Sequence, residues 1–510
     1  MYNFRDFAPT NGFDSKDLTN ARQNNYAWSM SDLGDYIYVG TGRNILYNII
    51  RAIQPQAQIP DLIDPGIVDN LAEIWRRKKS AYLPWEKVYK APVDSGITGF
   101  RYMIRHNPLG GRTALYAAAF APRVQILKST NGINWFILPD TVLQGTSSRA
   151  MVIHNGKLYV ATLDESNPSP TPLLYSSEDP EFYPWQLVTD YSSPDYDPAR
   201  NPVGFITNMA VFNNRLYVAT STDQGAQVWR TNGTEPRLND WTLIADRGFG
   251  NPANLYTLSM GVFRNYLYVS ATKELPLSWA IPQGCDIIRI DQSDRWDLVV
   301  GGNPLIAFLN PDAENQRSLS GLGSGFNNPF NVYAWQIQEY QDKLLISTFD
   351  DSSNMEVILT TLLANRAELN NIIGETTTNL LIGIYRAVIL ILRAIRYPFG
   401  FDLYVSDDGI HFDTIFLNGL CNPNNYGARI LYVDTYDDLY LGTANPFQGC
   451  EVWRTDCIGN CPTRPCRGNH YASLWRAKQI ITDYYKLLSD NLPVIQQFLP
   501  KDYIQRLLRL

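Results

Sequence analysis

Polar residues recur at one point in this sequence, each opening a short apolar and aromatic run. Glu73 precedes Ile74-Trp75-Arg76, Gln227 precedes Val228-Trp229-Arg230, Asp286 precedes Ile287-Ile288-Arg289, Asp402 precedes Leu403-Tyr404-Val405, and Glu451 precedes Val452-Trp453-Arg454, with Gln125 a further copy. Carboxylates and carboxamides held at one level around a repeated structure could grip a cation or the hydroxyls of a sugar; they could equally each tie a neighbouring loop. Asparagines recur too, in Asn24-Asn25-Tyr26, Asn254-Leu255-Tyr256, Asn331-Val332-Tyr333 and Asn424-Asn425-Tyr426. A side chain of this type either reaches a ligand or satisfies nearby backbone groups. The candidate ligand ring is therefore Glu73, Gln227, Asp286, Asp402, Glu451, Asn254 and Asn331.

Other chemistry is sparse. The four histidines, His106, His154, His411 and His470, occupy scattered places, which argues against a shared acid–base or metal site. No catalytic residue, metal or cofactor is expected. Five of the six cysteines, Cys421, Cys450, Cys457, Cys461 and Cys466, crowd toward the end, with Cys285 alone. The spacing Cys457-x3-Cys461-x4-Cys466 departs from paired zinc motifs, so local disulfides among these five lead, with buried thiols and a metal knot as alternatives.

The elements that must position these residues are repeats. One strand phrase returns as Tyr36-Ile37-Tyr38-Val39, Leu115-Tyr116-Ala117, Leu158-Tyr159-Val160, Leu216-Tyr217-Val218, Leu267-Tyr268-Val269, Leu344-Leu345-Ile346 and Leu439-Tyr440-Leu441. The polar-led phrases follow it as third strands, and fourth strands begin at Trp85, Trp135, Trp185, Trp241, Trp296 and Phe412. An aromatic fraction of 13%, with 31 Tyr and 12 Trp, suits pleated sheets. Four short strands in each of seven units predict an all-β fold, a seven-bladed β-propeller whose closure removes long exposed edges. Tyr2-Asn3-Phe4-Arg5 is the favoured source of the strand missing from the last unit, with Ala472-Ser473-Leu474-Trp475 the alternative.

Turns between third and fourth strands carry a resemblance. Lys128-Ser129-Thr130-Asn131-Gly132-Ile133-Asn134-Trp135 and Val405-Ser406-Asp407-Asp408-Gly409-Ile410-His411-Phe412 resemble the Asp-box of sialidase-type, BNR-repeat propellers, with Thr231-Asn232-Gly233 and Ser176-Ser177-Glu178-Asp179 as looser copies. Asn or Asp bonds the turn backbone, Gly supplies positive φ, and the aromatic residue anchors the turn. The phrase Gly449-Cys450-Glu451-Val452-Trp453-Arg454-Thr455 is similar to uncharacterised bacterial propeller proteins. The box is structural in that superfamily, so the resemblance implies fold. Sialidase-like activity would further imply three arginines around a substrate carboxylate, a nucleophilic tyrosine paired with a carboxylate, and an acid. No Arg-Ile-Pro signature is present, and Arg101, Arg149 and Arg429 are the arginines near the starts of first strands.

Two units are interrupted between second and third strands, at 44–72 and 351–400, where helical periodicity replaces the strand pattern. Ile45, Leu46, Ile49, Ile50 and Ile53 mark one helix face; Met355, Ile358, Leu359, Leu362, Leu363 and Leu369 mark a second; Leu380 to Ile395 forms a third helix. The propeller is read as 1–470, and 471–510 as a helical tail packing with the insertions. Because the interrupted units flank the last one, inserts and tail should meet over one sector of a single face. The apolar part of 380–395 is shorter than the ~20 residues a bilayer requires, and Arg386, Arg393 and Arg396 stripe it, so a buried bundle helix is expected rather than a membrane span.

A net charge of −7 without basic clusters argues against nucleic acid. The first residues, Met1-Tyr2-Asn3-Phe4-Arg5-Asp6, lack the pattern of a secretory leader; a cell-surface or extracellular location would follow from disulfides among the clustered cysteines. The functional expectation is a non-catalytic structural or interaction protein whose helical crown mediates self-assembly or docks a protein partner. A carbohydrate-binding propeller with a glycan partner and a sialidase-like glycoside hydrolase are the alternatives.

Overall fold

The computed structural model describes residues 4–53, 59, 61–80, 83–164, 170–273, 278, 282–302, 318–394 and 396–455. The chain is mostly β, built of four-stranded antiparallel units with few helices. The units span 24–90, 99–137, 147–187, 205–245, 254–300, 331–416 and 427–455, each an up-and-down meander. The last supplies three strands of its own, and Phe4–Asp6 completes it by pairing with Val452–Thr455, Phe4 opposite Thr455. Single bridges, Gly42 to Gly99, Phe349 to Gly427 and Tyr26 to Ala444, join consecutive units, the last of them linking the two ends of the series.

Second strands are buried almost throughout, as in Lys157–Leu163 and Arg215–Ser221, because they lie between neighbouring strands and between neighbouring units. Their repeated tyrosine staples one unit to the next. Tyr116 Oη donates to Asp179 (3.3 Å), Tyr217 Oη to Asp294 (2.7 Å) and Tyr268 Oη to the Gly409 carbonyl (3.2 Å), each acceptor lying in the third-to-fourth turn of the following unit. Two of these turns share one pattern. Ser129 Oγ accepts from Gly132 N while Asn131 Oδ1 accepts from Ile133 and Asn134 N; Ser406 and Asp408 do the same for Gly409, Ile410 and His411. Gly132 and Gly409 have φ of 70° and 79°, and a Cβ on either would collide with the tyrosine Oη, of Tyr38 and Tyr268 respectively. That contact and the positive φ require glycine.

Five α-helices enter the argument: α1 (Leu18–Gln23), α2 (Ile45–Ile53), α3 (Met355–Ala364), α4 (Arg366–Ile373) and α5 (Glu375–Ala394). The Asp17 carboxylate caps α1 by accepting from Thr19 and Asn20 N. The second interruption carries three helices where the periodicity predicts two: the stretch from Met355 to Leu369 breaks at Asn365, and α5 starts five residues before Leu380. Asn365 and Gly374, outside helical φ/ψ, set those breaks. The two insertions touch: Leu46, Ile50 and Ile63 form a cluster onto which Val357 of α3 and Phe447 of the last unit pack. No helix among the described residues is long and apolar enough to cross a membrane.

Cys450 departs from the disulfide expectation. It is fully buried as a free thiol, packed with Phe7, Phe13 and Val452, where burial pushes its pKa up; Cys285 is likewise buried and free. Cys421 lies in the turn Gly419–Cys421, near the Asn418 carboxamide. Cys457, Cys461, Cys466, His470 and the tail 471–510 lie outside the described residues.

Candidate functional site

All residues of the expected ligand ring except Gln227 lie in separate clasps, found in four of the seven units. In those units the acid at the start of the third strand accepts from an asparagine at or just before the start of the first strand: Asn24 to Glu73 (3.1 Å), Asn254 to Asp286 (2.8 Å), Asn331 to Asp402 (2.7 Å) and Asn425 to Glu451 (2.8 Å). The same amide nitrogens donate to the carbonyls of Gly12, Gly248, Gly325 and Gly419, at 2.8 to 3.0 Å. The aromatic residue two places after the acid donates as well: Trp75 to Glu73, Tyr404 to Asp402 and Trp453 to Glu451, while Trp229 donates to Gln227. Glu73 also meets Arg43 (3.5 Å) and Lys87 (2.9 Å), and Asp286 meets Lys273 (2.8 Å).

Three of the preceding links follow a shared phrase, Gly248-Phe249-x-Asn251-Pro252-x-Asn254, Gly325-Phe326-x-Asn328-Pro329-x-Asn331 and Gly419-Leu420-x-Asn422-Pro423-x-Asn425. Its first two residues have positive φ, and its middle asparagine accepts from the backbone two residues on. Asp402 has a second buried acid nearby, Asp350, and Asn328 donates to both (3.4 Å each). Burial, followed by the charge of Asp350, raises the Asp402 pKa.

None of those seven residues lines the central cavity, which holds about 330 Å³ and draws its wall from the first strand of every unit. At one equivalent position of each first strand the pairing with the second strand skips a residue, a β-bulge that re-aims a side chain, and three of these strands skip another nearer their start. The residues skipped at the shared position, in order around the series, are Trp28, Arg101, Arg149, Thr207, Leu258, Trp335 and Arg429. Five of the chain's seven methionines, Met30, Met103, Met151, Met209 and Met260, stand two residues beyond a bulge, and four of them line the cavity.

One device is used twice to seat the floor. The Trp28 ring lies against Gly99 and Arg101 stacks over it at 5.0 Å; the Trp335 ring lies against Gly427 and Arg429 stacks over it at 5.4 Å. A Cβ on Gly99 or Gly427 would stand 2.1 or 2.2 Å from the indole, so the phrase Gly-x-Arg places a guanidinium on the tryptophan of the preceding unit. Arg101 then bonds Ser147 Oγ (2.9 Å), in the position that glycine takes in those two phrases, and Arg149 follows two residues later. Below this level, toward the strand starts, Tyr26, Tyr333, Phe349 and Tyr426 pack edge and face with Trp28 and Trp335. Tyr26 and Tyr426 are hydroxyl-bonded to each other within this buried aromatic layer. The cavity is a well walled by the first strands.

Its electrostatics are one-sided. Four arginines line the well, Arg101, Arg105, Arg149 and Arg429, and no Asp or Glu does among the described residues. Arg105 is neutralised by Asp32 (2.9 Å). Arg429 is buried at 6% exposure, its Nε lacks a hydrogen-bond partner, and it forms no ion pair among the described residues. Burial, then the charges of Arg149 and Arg101, push its pKa down to about 9. Tyr432 at the rim donates to Asp32 Oδ1 (2.6 Å), yet burial and that carboxylate raise the phenol's pKa. Asp32 is itself engaged by Lys79, Arg105 and Thr435. Among the described residues the lining carries no Asp, Glu, His or Cys, the side chains that most often move protons near neutral pH.

Sequence reasoning noticed the three arginines but not their convergence. The signals available were the x-Met spacing in five first strands and the two Gly-x-Arg phrases. No family model and no curated protein matches the chain. Among solved structures, it is similar to YCF48 bound to D1 peptide, at 12% identity and a TM-score of 0.40 over 77% of this chain and 88% of that one. It is also similar to the extracellular domain of a hybrid two-component system, BT4673, from B. thetaiotaomicron, at 10% identity and 0.47 over 90% and 40%, and to the Niastella koreensis GH74 enzyme, at 11% and 0.38 over 64% and 44%. The chain thus spans less than half of the latter two. These neighbours include β-propeller proteins, both enzymes and non-enzymes, and the likeness is one of fold.

Proposed function

We propose that the chain is a non-catalytic binding protein on a seven-bladed propeller scaffold, with the well as its ligand site and the Asp-box-like turns as structural staples. The observation that carries this is the composition of the well: every first strand contributes to it, and no acidic side chain does among the described residues. Glycoside hydrolysis calls for an acid and a nucleophile or base flanking the scissile bond. The Tyr432–Asp32 pair is the one feature that favours the hydrolase alternative, and its raised phenol pKa and saturated carboxylate count against it. The helical crown is a second surface for docking or self-assembly, supported by the 64% exposure of Leu390 on α5.

The test is a thermal-shift screen of small ligands, glycans included, with recovery of each hit. The expected result is a ligand that stabilises the protein and is recovered chemically unchanged. Turnover of an aryl sialoside or aryl glycoside by the wild type, abolished in Arg429→Met, would contradict it. For the crown, Leu390→Glu should lower the mass seen by light scattering; an unchanged mass assigns self-assembly elsewhere.

A further inference from the structure

We propose that the second insertion is held on the ring by a proton-dependent latch: Asp350 and Asp402, at its two roots, share one proton, and release of that proton to solvent frees helices α3 to α5. The strand register carries this, independently of what the crown docks. Arg43, Lys273 and Asp350 occupy one position in three units, at the end of the second strand opposite the clasp asparagines Asn24, Asn254 and Asn331. In two of these units that residue is a base meeting the clasp acid, Arg43 with Glu73 (3.5 Å) and Lys273 with Asp286 (2.8 Å). The sixth unit puts an acid there instead. Asp350 and Asp402 therefore face each other across the Asn328 amide, which donates to both (3.4 Å each). The clasp asparagine registers the change. Its Oδ1 accepts from Arg43 (2.7 Å) in the first unit and from Asn445 (3.0 Å) in the last, whereas Asn331 Oδ1 is buried with no hydrogen-bond partner.

Both acids are buried, and neither meets a Lys or Arg among the described residues. Two carboxylates so placed resist ionising together. Burial raises the pKa of each, and the charge of Asp350 adds to the rise at Asp402. The groups facing the pair bring no counter-charge: Tyr397 from the insertion, Tyr404 from the third strand, Asp351 from the turn into α3, and Cys285 beside Tyr404. Burial pushes all four upward, so the phenols and the thiol keep their protons at neutral pH. The pair is also where the insertion is tied down. Asp350 caps the turn Asp351–Asn354, which runs into α3, by accepting from Ser352 N (2.8 Å). It accepts as well from the hydroxyl of Tyr397, whose backbone N donates to Leu392 O at the end of α5 (2.8 Å). Asp350 and Asp402 are themselves held in the strand ladder, through Asn331 and Thr348, so the element that yields to two unpaired charges is the insertion.

Hydrogen–deuterium exchange of the full chain in buffer with EDTA, corrected for the intrinsic pH dependence of exchange, tests this from about pH 5 to about pH 8. Opening that releases one proton grows about tenfold per pH unit until the closed state is itself ionised. Protection of α3 to α5 should therefore fall as pH rises and then level off, while that of the first strand Asn331–Tyr340 stays constant. Asp350→Asn copies Asn445 of the last unit and keeps an acceptor for Ser352 and Tyr397, so it should flatten the fall. Asp402→Asn should do the same from the other root, and Asp351→Asn should leave the fall in place. Melting curves establish that each variant is folded. A level profile in the wild type, or an equal fall in folded Asp350→Asn and Asp402→Asn, overturns the latch. So does a fall that disappears only in Asp351→Asn. Protection regained at the upper pH when calcium replaces EDTA would assign the missing positive charge to a bound cation, and overturns the shared proton.

Discussion

The clasps beside the insertions and the bulge ring inside the channel both occupy equivalent positions in successive units, and they differ in what repetition has done to them. In the clasps, present in four of the seven units, the chemistry is repeated: an acid and an asparagine, with an aromatic donor in three of them. In the bulge ring the backbone is repeated but the side chain is not, running through Trp, Arg, Arg, Thr, Leu, Trp and Arg. A requirement of the fold returns unchanged wherever the same link must be held, as the clasp does in four units. A ligand breaks the symmetry of the ring, so a binding wall is free to differ from unit to unit. The clasps pair their acids, whereas Arg429 on the wall of the well forms no ion pair among the described residues.

Substitutions at the two levels should therefore move stability in opposite directions. The largest effect is expected for Glu73→Ala, which strips buried Arg43, Asn24 and Trp75 of their shared acceptor. Removing one member of a buried ion pair costs about 3–5 kcal/mol, read by urea denaturation, with ligand affinity per folded molecule unchanged. Arg429→Met should have the other sign, a gain of about 1–3 kcal/mol from replacing a desolvated charge by an apolar side chain, alongside weakened ligand binding in the well. Tyr217→Phe sharpens the comparison at the staples between units: losing its bond to Asp294 should cost about 1–2 kcal/mol, without any effect on the well.

A pH dependence is also expected at the clasps. Burial and the neighbouring Asp350 raise the Asp402 pKa, so the folded state favours its protonated form. Its contribution is complete below the ordinary carboxylate range and is lost as pH rises through its raised value. Melting curves taken across the acid-to-neutral range should show stability falling over that interval less steeply in Asp402→Asn than in the wild type. An identical slope would mean that Asp402 is ionised throughout.

Much of this was legible in the residues. The tyrosine of six second strands, the polar residue opening six third strands and the Ser-x-Asn/Asp-Gly turns are local signals with fixed spacing, and they locate the strands. The helical insertions declared themselves by a change of period, although the breaks at Asn365 and Gly374 did not, because an apolar run reads through a short kink. The function of the polar ring was not legible, since an acid that binds a ligand and an acid that clasps a loop look alike until their partners are known. The well was hidden for a different reason. Arg101, Arg149 and Arg429 are separated by tens to hundreds of residues, and only closure of the ring, with a bulge in each first strand, turns them onto one floor. Cys450 shows the converse: its crowding with other cysteines suggested pairing, while its place in the core of the last unit makes it a buried thiol.

The most direct test of a ligand site in the well is the melting temperature of wild type and Arg429→Met, measured in ligand-free buffer and again with a ligand found by the thermal-shift screen. The variant should melt at or above the wild type without ligand, and the ligand should raise the wild type alone. A variant that melts lower and still responds to the ligand would show that Arg429 belongs to the scaffold, and that the well is not the ligand site.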